Sequence, residues 1–545
     1  MRTAHRALLL GSYALATFLA FPHPALGTVV DLGWVAAWLA PLSLILALRG
    51  LTPRRALGLG FLAGLLAHSA VLHWIYVVTV TYGHAPPVVG VIAPILLAAY
   101  IAGFTALFGM AVAWLERRGL ASPFAIAAVW TALDHLRSFA LSGFPWATLG
   151  YAQHQNLALM PLAAWTGVYG LSFLSVLGAA ALSRFFASPR LTTESPPVSS
   201  SRGPGWGAWG ALSVVVLAHA LGMAMNASRT APDWPAMRVA VLQGNIDQGV
   251  KWSPEWAERT LEIYEELTRE AVAEGAEVVV WPETAVPGSL DSDPALRGRI
   301  AALAEDTGAF LVVGAVGIDG LEAMLREPPE LGELNFFDSA FLFDPVGRSL
   351  GRYDKTHLVP FGEYLPFRRM LGRFIRAIAT GSAGQDVTAG ESPRSLVLPG
   401  LEIEGGEPSV TVGVPICYEL LFPDLVRRFV GDGADVLFAI TNDAWYGRTG
   451  APYQFLVMTA MRSAEGRVWT ARAANTGVSA LIDERGRVRE QTRIFERDFL
   501  VGEVSVRPPG VGDSFYVRHG DLFAWLCWGG LLALWVCGWV QGRGR

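Results

Sequence analysis

The chain has 545 residues, of which 52% are hydrophobic and 16% charged, against about 25% charged residues in a typical soluble protein. This length favours more than one domain, and the excess of apolar residues predicts membrane spans. The formal net charge of −5 gives no reason to expect a nucleic acid as partner. The three cysteines, Cys417, Cys527 and Cys537, match neither a disulfide framework nor a zinc motif, so Cys417 is expected to be a free thiol.

Residues 1–230 contain apolar runs long enough to cross about 30 Å of hydrocarbon. They predict a membrane domain of seven helices, and an eighth run lies in a C-terminal segment over 511–545. The predicted spans are 6–23, 30–48, 57–80, 88–115, 122–141, 159–184, 207–226 and 520–540. Arg2 and Arg6 before the first run are also typical of a signal peptide, but "FPHPALG" offers no small-x-small cleavage site, which favours a retained span.

Basic residues in alternate loops predict the orientation of these spans. The loops "FPHPALGTVVD" and "YGHAPP" contain no Lys or Arg, whereas the intervening loops and both ends are basic. The residues concerned are Arg2, Arg6, Arg49, Arg54, Arg55, Arg117, Arg118, Arg190, Arg202, Arg543 and Arg545. Because cytoplasmic loops are enriched in Lys and Arg, both termini are predicted to be cytoplasmic and residues 227–519 to lie outside the cytoplasm.

The fifth predicted span contains three ionisable residues, Asp134, His135 and Arg137, within "WTALDHLRSF". Such groups are costly inside hydrocarbon unless they find partners or water. In one interpretation they line a polar cavity or tether the outer domain. In the other, which we favour, the span ends earlier and they lie at the outer interface.

From Met237 onward strand-like and helix-like segments alternate, which predicts an α/β layered domain over 231–510. The strand candidates are "MRVAVLQGNI", "EVVVWPE", "AFLVVGAVG", "FDSAFLFDPVG", "SVTVGVPICYE", "DVLFAITNDAW", "GVSALIDERGRV" and "VGEVSV". Helical patterns cover 253–276, 294–307, 420–431 and 453–472. Ser253 is a candidate N-cap of the first helix, with Pro254 at its first helical position.

Three reactive side chains stand at or near the ends of strand-like segments: Glu283, Lys355 and Cys417. Since reactive groups of α/β domains gather where strands end, the three could form one constellation. A carboxylate can take the thiol proton, and a lysine ammonium can hold the negative charge that forms on a substrate carbonyl oxygen. Each residue also has a plain structural explanation, as a core cysteine, a solvated or capping glutamate and a surface lysine.

The segments "WPETAVP", "YDKTHLVPFGEYLP" and "GVPICYELLFPDLVR" together closely resemble, in this order, the signature segments of the carbon–nitrogen hydrolase (nitrilase) superfamily. "TNDAWYG" (441–447) is a fourth similar segment. With its many N-terminal spans and one terminal span, the chain resembles the bacterial apolipoprotein N-acyltransferase family. The resemblance implies a multi-span α-helical protein of the inner membrane that carries a periplasmic, nitrilase-like αββα sandwich.

That family moves a fatty acyl chain from a phospholipid, often phosphatidylethanolamine, to the N-terminal amine of a diacylglyceryl apolipoprotein, as the last step of lipoprotein maturation. The resemblance implies that Glu283 is the general base, Lys355 the oxyanion-stabilising cation and Cys417 the nucleophile. Cys417 would carry the acyl group as a thioester, with ping-pong kinetics. We expect no metal or organic cofactor, no nucleic-acid partner and a monomer.

Four further residues match supporting positions of the family. Tyr418 is expected to offer its backbone N–H to the oxyanion. Trp252 belongs to the site or packs the entry of the following helix. Glu363 is a second acid near Lys355, which we favour, or a loop carboxylate. Glu419 orients its loop or caps the next helix.

The segment "PFRRMLGRFIRAIATG" directly follows the Lys355 loop and predicts a basic amphipathic helix. Its apolar positions are Phe367, Met370, Leu371, Phe374, Ile375 and Ile378, and its basic positions are Arg368, Arg369, Arg373 and Arg376. Such a helix can lie in the headgroup layer with its arginines on phosphates, so we expect a lid that faces the membrane. The alternative is a helix packed on the domain's own core.

Two other functions fit parts of the pattern. A membrane-tethered nitrilase or amidase would use the same three residues on a small carbon–nitrogen substrate. A transporter or binding protein would only capture lipoprotein with its outer domain, and would keep full function after Cys417→Ser.

Overall fold

The computed structural model describes residues 3–25, 27–186, 205–227, 234–251, 253–320, 334–366, 386–401 and 409–543. The predicted lid over 367–378 and the supporting residue Trp252 lie outside these ranges. In the described part, the N-terminal half is a bundle of helices. The C-terminal half is a domain of two sheets, which we call the two-sheet domain, and it rests on one end of the bundle.

One helix of the structure coincides with each predicted span. A small hairpin of β1 (His23–Ala25) and β2 (Thr28–Val30) joins the first two helices. By length and composition, four described helical segments suffice to cross a membrane: Pro87–Arg118, Met160–Ser183, Trp206–Ala227 and Leu522–Val540. The bundle helices are α1 (Thr3–Leu19), α2 (Gly33–Leu48), α3 (Pro53–Val71), α4 (Pro87–Arg118), α5 (Pro123–Arg137), α6 (Ala163–Ser183) and α7 (Trp206–Ala227).

Local sequence signals explain where several of these helices begin and end. The hydroxyls of Thr52 and Ser122 accept hydrogen bonds from backbone N–H groups in the first turns of α3 and α5, and a proline follows each.

Two predicted spans were too long. Helix α3 ends at Val71 and is followed by a separate π-helical turn over Val77–Tyr82. Helix α5 ends at Arg137, because Leu141 takes a left-handed backbone conformation with φ of 52°.

The ionisable residues at the end of α5 are buried and paired. The Asp134 carboxylate accepts hydrogen bonds from Ser172 Oγ at 3.0 Å and from the Arg137 guanidinium at 3.3 Å. His135 Nε2 lies 3.3 Å from Asp521 Oδ2, which stands just before the last helix. The helix therefore ends at these residues, and they join it to α6 and to the C-terminal segment.

In the described residues, the two-sheet domain is built from sixteen further helices and strands and is followed by a short helix and a long one. In chain order, all of these are β3 (Ala236–Gln243), α8 (Pro254–Ala273), β4 (Val278–Val280), α9 (Pro294–Thr307), β5 (Phe310–Asp319), β6 (Asn335–Phe343), β7 (Ser349–Asp354), β8 (Leu396–Pro399), β9 (Ser409–Gly413), α10 (Pro423–Gly431), β10 (Val436–Thr441), α11 (Ala451–Gly466), β11 (Trp469–Ala474), β12 (Ala480–Ile482), β13 (Val488–Gln491), β14 (Asp498–Ser505), α12 (Phe515–His519) and α13 (Leu522–Arg543).

The strands form two six-stranded sheets, ordered β14-β3-β4-β5-β6-β7 and β13-β12-β11-β10-β9-β8. The central strands β3-β4-β5 and β9-β10-β11 are parallel, and the flanking strands pair antiparallel. Side chains alternate between faces: Val278 and Val280 belong to the core shared with the second sheet, whereas Val279 and Trp281 pack beneath α8 and α9. Helix, sheet, sheet and helix thus form four layers, which confirms the predicted αββα sandwich.

In the two sheets, strands β7, β8 and β11 are absent from the sequence-based prediction, and β13 shares only Val488 with a predicted strand. The helix predicted over 453–472 was wrong at its end, because α11 stops at Gly466 and residues 469–474 form β11. Arg467 adopts the left-handed conformation, with φ of 54°, which terminates the helix. The alanine-rich run that follows suits a helix by propensity, but parallel pairing with β10 overrides this preference.

The two-sheet domain contacts the bundle through buried polar bonds. Trp146 Nε1 donates to Gln454 Oε1 at 2.7 Å, and Gln454 Nε2 donates to the Pro22 carbonyl at 3.2 Å. The backbone N–H of Val168 donates to Glu465 Oε1 at 2.8 Å. Because Pro22, Trp146 and Val168 come from separate loops and helix starts, the domain rests on several bundle segments at once.

Basic residues cluster at the other end of the bundle. Arg6 Nε donates to the Ala47 carbonyl at 2.8 Å, Arg49 Nη2 to the Ser183 carbonyl at 2.9 Å, and Arg118 Nη1 to Gly538 O at 2.6 Å. These bonds join the ends of α1, α2, α4, α6 and α13. The bundle therefore has one arginine-rich end and one end that carries the two-sheet domain.

Replacing Gly167 with alanine should weaken the packing of the C-terminal segment on α6. Gly167 has φ of 62°, and a Cβ there would lie 2.5 Å from a ring carbon of Tyr516. Backbone strain and this clash should lower the free energy of unfolding by at least about 1 kcal/mol. Thermal unfolding in detergent measures the change.

The control is Gly210→Ala in α7, where a Cβ would meet no atom within 4 Å. This variant should be neutral or more stable, since alanine favours a helix over glycine. Equal melting temperatures for Gly167→Ala and wild type would contradict the account.

Candidate active site

Cys417 stands on a sharp turn between β9 and α10. Ile416, just before it, forms an isolated parallel bridge to Ile440 of β10, and a 3₁₀ turn over Cys417–Leu421 follows. Cys417 itself has φ of 46°, in the left-handed region that non-glycine residues rarely adopt. Residues held in such conformations cluster at active sites, because the surrounding structure compensates for the strain.

The Lys355 ammonium lies at the centre of a buried group of carboxylates. Its Nζ donates to Glu283 Oε1 at 3.0 Å, to Asp338 Oδ2 at 3.2 Å and to Glu363 Oε1 at 2.5 Å. Lys355 is fully buried. Glu363 is thus a second acid beside Lys355, and its other oxygen also accepts the backbone N–H of Val359 at 2.8 Å.

The same three carboxylates have the spacing of a metal site. One oxygen from each of Glu283, Asp338 and Glu363 lies within 4.8 Å of the others. Carboxylate oxygens suit hard divalent cations. Lys355 Nζ, however, is hydrogen-bonded to all three side chains and supplies the positive charge that a metal ion would supply.

One ammonium cannot neutralise three buried carboxylates, so their pKa values separate. Burial alone would raise the pKa of Glu283, but the Lys355 charge and several hydrogen bonds outweigh it and lower that pKa to about 2. Burial, together with the Glu283 charge, raises the pKa of Asp338 well above its ordinary value. Glu283 therefore keeps its negative charge, and Asp338 takes up a proton more readily than Glu283 does.

The Cys417 thiol is protonated in the resting site. Burial, and next the negative charge of Glu283, raise its pKa well above the ordinary value, against the opposing effect of Lys355. Interaction with the thiol is one of the effects that lower the Glu283 pKa. A protonated nucleophile beside an ionised carboxylate is the pairing that general-base catalysis requires.

Three contacts hold Glu283 in place. Its Oε2 accepts the backbone N–H of Asn442 at 2.7 Å. Its backbone carbonyl accepts a hydrogen bond from Lys251 Nζ at 3.3 Å, and the same ammonium donates to Thr284 Oγ1 at 2.6 Å. Behind the turn lies Gly314 of β5, where a Cβ would come within 2.8 Å of Glu283 Cα.

Glu419 connects the cysteine loop to the lysine loop. Its Oε1 accepts hydrogen bonds from Tyr353 OH at 2.6 Å, from Thr356 N at 2.7 Å and from Thr356 Oγ1 at 2.8 Å. Its Oε2 accepts the Ile416 N–H at 2.8 Å. Because these donors flank both Lys355 and Cys417, the geometry favours the loop-orienting role for Glu419.

The Tyr418 side chain attaches the cysteine loop to the bundle. Its hydroxyl donates to the Gly143 carbonyl at 3.2 Å, in the loop after α5. Its ring stacks near His357, with centroids 5.7 Å apart, and meets Phe422 edge-on at 5.2 Å. The expected role of its backbone N–H toward an oxyanion stays a prediction.

The "TNDAWYG" segment brings the site against the membrane helices. The Tyr446 ring lies 5.0 Å from that of Trp74 and 5.9 Å from that of Trp146, and Trp445 lies 6.2 Å from Tyr82. The site therefore lies at the junction between the two-sheet domain and the bundle, and these aromatic rings border it on the bundle side.

The sequence-based prediction did not single out Lys251, Asp338 or the buried ion pair between Asp443 and Arg472, whose charged atoms lie 2.6 Å apart. Asp338 lies in a strand and Asp443 after one, and neither carries a distinguishing local pattern. Lys251 did have a signal. Of the 42 lysine and arginine residues in the chain, it and Lys355 are the only lysines.

Comparisons with known proteins match both halves of the chain. The carbon-nitrogen hydrolase family model matches residues 238–507, and the model of the apolipoprotein N-acyltransferase N-terminal domain matches 13–181. Apolipoprotein N-acyltransferase of Geobacter metallireducens is 37% identical over 515 residues, covering 93% of this chain and 90% of that protein. The enzyme of that name from Pseudomonas syringae pv. tomato is 34% identical and covers 84% of each chain.

Among solved structures, a nitrilase-superfamily amidase of Nesterenkonia AN1 is similar at 20% sequence identity and a TM-score of 0.37. The match covers 55% of this chain and 98% of the amidase.

Replacing Glu419 with glutamine should disturb both loops of the site. Both carboxylate oxygens accept hydrogen bonds, so whichever becomes an NH₂ group will face another donor. The buried mismatch should cost about 1–3 kcal/mol of stability. It should also slow reaction of the Cys417 thiol with an alkylating agent, since the lysine and cysteine loops lose their common acceptor. Alkylation followed by mass spectrometry measures the rate.

Glu391→Gln is the matched control, because Glu391 is exposed and lies outside the site. It should leave thiol reactivity and stability unchanged. If Glu419→Gln behaves like this control, Glu419 does not orient the loops.

Proposed function

The chain belongs to the apolipoprotein N-acyltransferase family and is an acyltransferase, and we propose that its site transfers the acyl chain through Cys417. One observation carries the proposal. The ionised Glu283, the Lys355 ammonium and the protonated Cys417 thiol meet where the two-sheet domain contacts the bundle. The comparisons favour acyl transfer to lipoprotein over hydrolysis of a small carbon–nitrogen substrate by a membrane-tethered nitrilase or amidase.

In the first half-reaction, the Cys417 sulfur attacks the ester carbonyl of a phospholipid while Glu283 takes the thiol proton. The negative charge that forms on the carbonyl oxygen is held by Lys355 and by the backbone N–H of Tyr418. The carbon–oxygen bond then breaks, Glu283 returns the proton to the leaving oxygen, and lysophospholipid departs. The acyl group remains on Cys417 as a thioester.

In the second half-reaction, the N-terminal amine of the diacylglyceryl apolipoprotein attacks the thioester carbonyl. Glu283 takes a proton from the amine, an amide bond forms, and the Cys417 sulfur leaves and regains a proton. The same three residues thus act twice, and because lysophospholipid leaves before the amine reacts with the acyl-enzyme, the kinetics are ping-pong. Since Glu283 has a pKa of about 2, it stays available as a base at any pH near neutral.

Water must compete poorly with the amine for this thioester. Cys417 is 8% exposed, and the aromatic side chains of Trp74, Trp146 and Tyr446 border the site on the bundle side. An apolar border admits acyl chains and limits water, which strengthens every electrostatic interaction inside. We propose phosphatidylethanolamine as the donor and the monomer as the working form.

The two ends of the bundle support an orientation in the inner membrane. The arginines that join α1, α2, α4, α6 and α13 lie at one end, and the two-sheet domain lies at the other. Basic loops favour the cytoplasmic side. We therefore propose that the two-sheet domain is periplasmic and that the termini are cytoplasmic.

Incubation with a phospholipid that carries a radiolabelled acyl chain tests the chemistry. Label should attach to wild-type protein through a bond that hydroxylamine cleaves, and mass spectrometry should locate it on Cys417. Cys417→Ala should take up none and Cys417→Ser should be severely impaired, because serine is a far weaker nucleophile. Cys527→Ala, in α13, is the matched control and should label normally.

Acceptors then separate the candidate functions. A diacylglyceryl peptide with a free N-terminal amine should remove the label from Cys417 and become N-acylated, whereas an N-acetylated peptide should not. Release of the label only as free fatty acid would identify a hydrolase. Full lipoprotein maturation by Cys417→Ala would identify a capture protein instead.

The predicted lid has its own test. We propose that residues 367–378 form a membrane-facing helix. The substitutions Phe374→Asp and Ile375→Asp should then weaken its contact with lipid. Acyl-enzyme formation from a vesicle-embedded phospholipid should fall, while a short-chain soluble ester should react normally. If acyl-enzyme formation falls with both donors, the helix packs on the domain core instead.

A further inference from the structure

Lys251 is buried beside the catalytic group, at 1% exposure, and the two half-reactions described above assign it no step. It follows the turn after β3, where its backbone N–H donates to the Asp247 carbonyl at 3.1 Å. The preceding segment is pinned to the second sheet through Ile246, whose N–H donates to Asn475 Oδ1 at 2.9 Å. A lysine just before a helix is ordinarily solvated, so its burial here requires a reason.

The sequence makes this residue more unusual. Among 42 basic residues, lysine occurs only at 251 and 355, and both ammonium groups lie in the site. Arginine and lysine differ in that guanidinium is a planar fork, whereas ammonium is a compact point charge with three donors. At both positions a compact donor fits between oxygen atoms of the site.

The Lys251 ammonium contacts the turn that carries Glu283. Nζ lies 2.6 Å from Thr284 Oγ1 and 3.3 Å from the Glu283 carbonyl oxygen. Thr284 has φ of 46°, so the turn is strained immediately after the catalytic carboxylate. Gly314 packs so closely on the opposite side that a Cβ there would lie 2.7 Å from Thr284 N. Glu283 is thus fixed between a strand on one side and an ammonium on the other.

We propose that Lys251 is a positioning residue of the acyl transfer: its ammonium holds the Glu283–Thr284 turn so that the Glu283 carboxylate meets the Cys417 thiol. The inference rests on the proposed function of Cys417 as acyl carrier. In this role Lys251 acts through Glu283.

Electrostatics agree with this role. Burial lowers the pKa of Lys251 to about 8, against the opposing charges of Glu283, Asp338 and Cys417. The ammonium is therefore charged near neutral pH and loses its charge as the pH rises above about 8. Its hydrogen bonds to the turn weaken with that loss, because a neutral amine is a poorer donor than an ammonium.

The test measures acyl-enzyme formation on Cys417 in full-length protein, as a function of pH, with phosphatidylethanolamine vesicles. Lys251→Met removes the charge at similar length, and Lys251→Arg keeps the charge but changes its shape. Both should slow acylation about 10- to 100-fold, since a displaced catalytic group costs rates of that order. The wild-type rate should fall above about pH 8, and Lys251→Met should lack this dependence.

Thr284→Val provides a second, milder variant. It removes the Oγ1 acceptor at nearly constant volume and should slow acylation, and combining it with Lys251→Met should add little. Arg259→Met is the matched control. Arg259 is half-exposed on α8, and its ion-pair partner lies on the same helix, away from Cys417. It should acylate at the wild-type rate.

The outcomes separate the two proposals. If wild-type protein forms no acyl-enzyme, the proposed function fails. If wild type forms it and the Lys251 and Thr284 variants keep its rate, the positioning role fails. A slower Lys251→Met with the wild-type pH profile would assign Lys251 to packing alone and also overturn the proposal.

A labelling experiment remains decisive even if Lys251→Met does not fold. Protein grown with ¹³Cε-lysine should give two signals, because the chain has two lysines. The signal that Lys251→Arg removes should titrate near pH 8 and shift when Cys417 is acylated. A Lys251 signal that does not respond to acylation would contradict its coupling to the site.

Discussion

The candidate active site depends on one buried ammonium that bonds to three acids. Lys355 is surrounded by the carboxylates of Glu283, Asp338 and Glu363, and Glu283 stays ionised at this depth because of that partner charge. The nearby Lys251 ammonium adds a second positive charge, but two cations still face three acids, so the protons distribute unequally. Glu283 keeps its negative charge and Lys355 its positive charge, as the proposed roles of base and oxyanion partner require.

Because the Lys355 ammonium bonds to three carboxylates from different segments, the loops around it need to be held in place. Glu419 does this between the lysine loop and the cysteine loop, and the Asn442 N–H holds Glu283 from the side of β10. Lys251 holds the Glu283 turn from the third side. Each contact joins segments that are far apart in the chain, so the geometry of the triad exists only when both sheets are packed together.

The contact with the bundle places the candidate active site beside the helices. Tyr418 bonds to the loop after α5, and Tyr446 packs against Trp74 and Trp146. The nucleophile loop is thereby attached to the helices rather than exposed to bulk water. Such a junction suits the proposed reaction between an ester in the bilayer and a lipid-anchored amine.

The amino-acid sequence alone predicted a helix for each segment of the bundle and an α/β layered domain, because apolar periodicity is a local property. The αββα layers and the roles of the three reactive residues followed from the resemblance of short signature segments, which are also local. The sequence could not determine that β11 replaces the end of a predicted helix, since pairing with β10 overrides the local propensity. Nor could it determine the charge states of Glu283 and Asp338, or the place of Lys251 behind Glu283. Burial and distance set these properties, and only the packing of distant segments creates them.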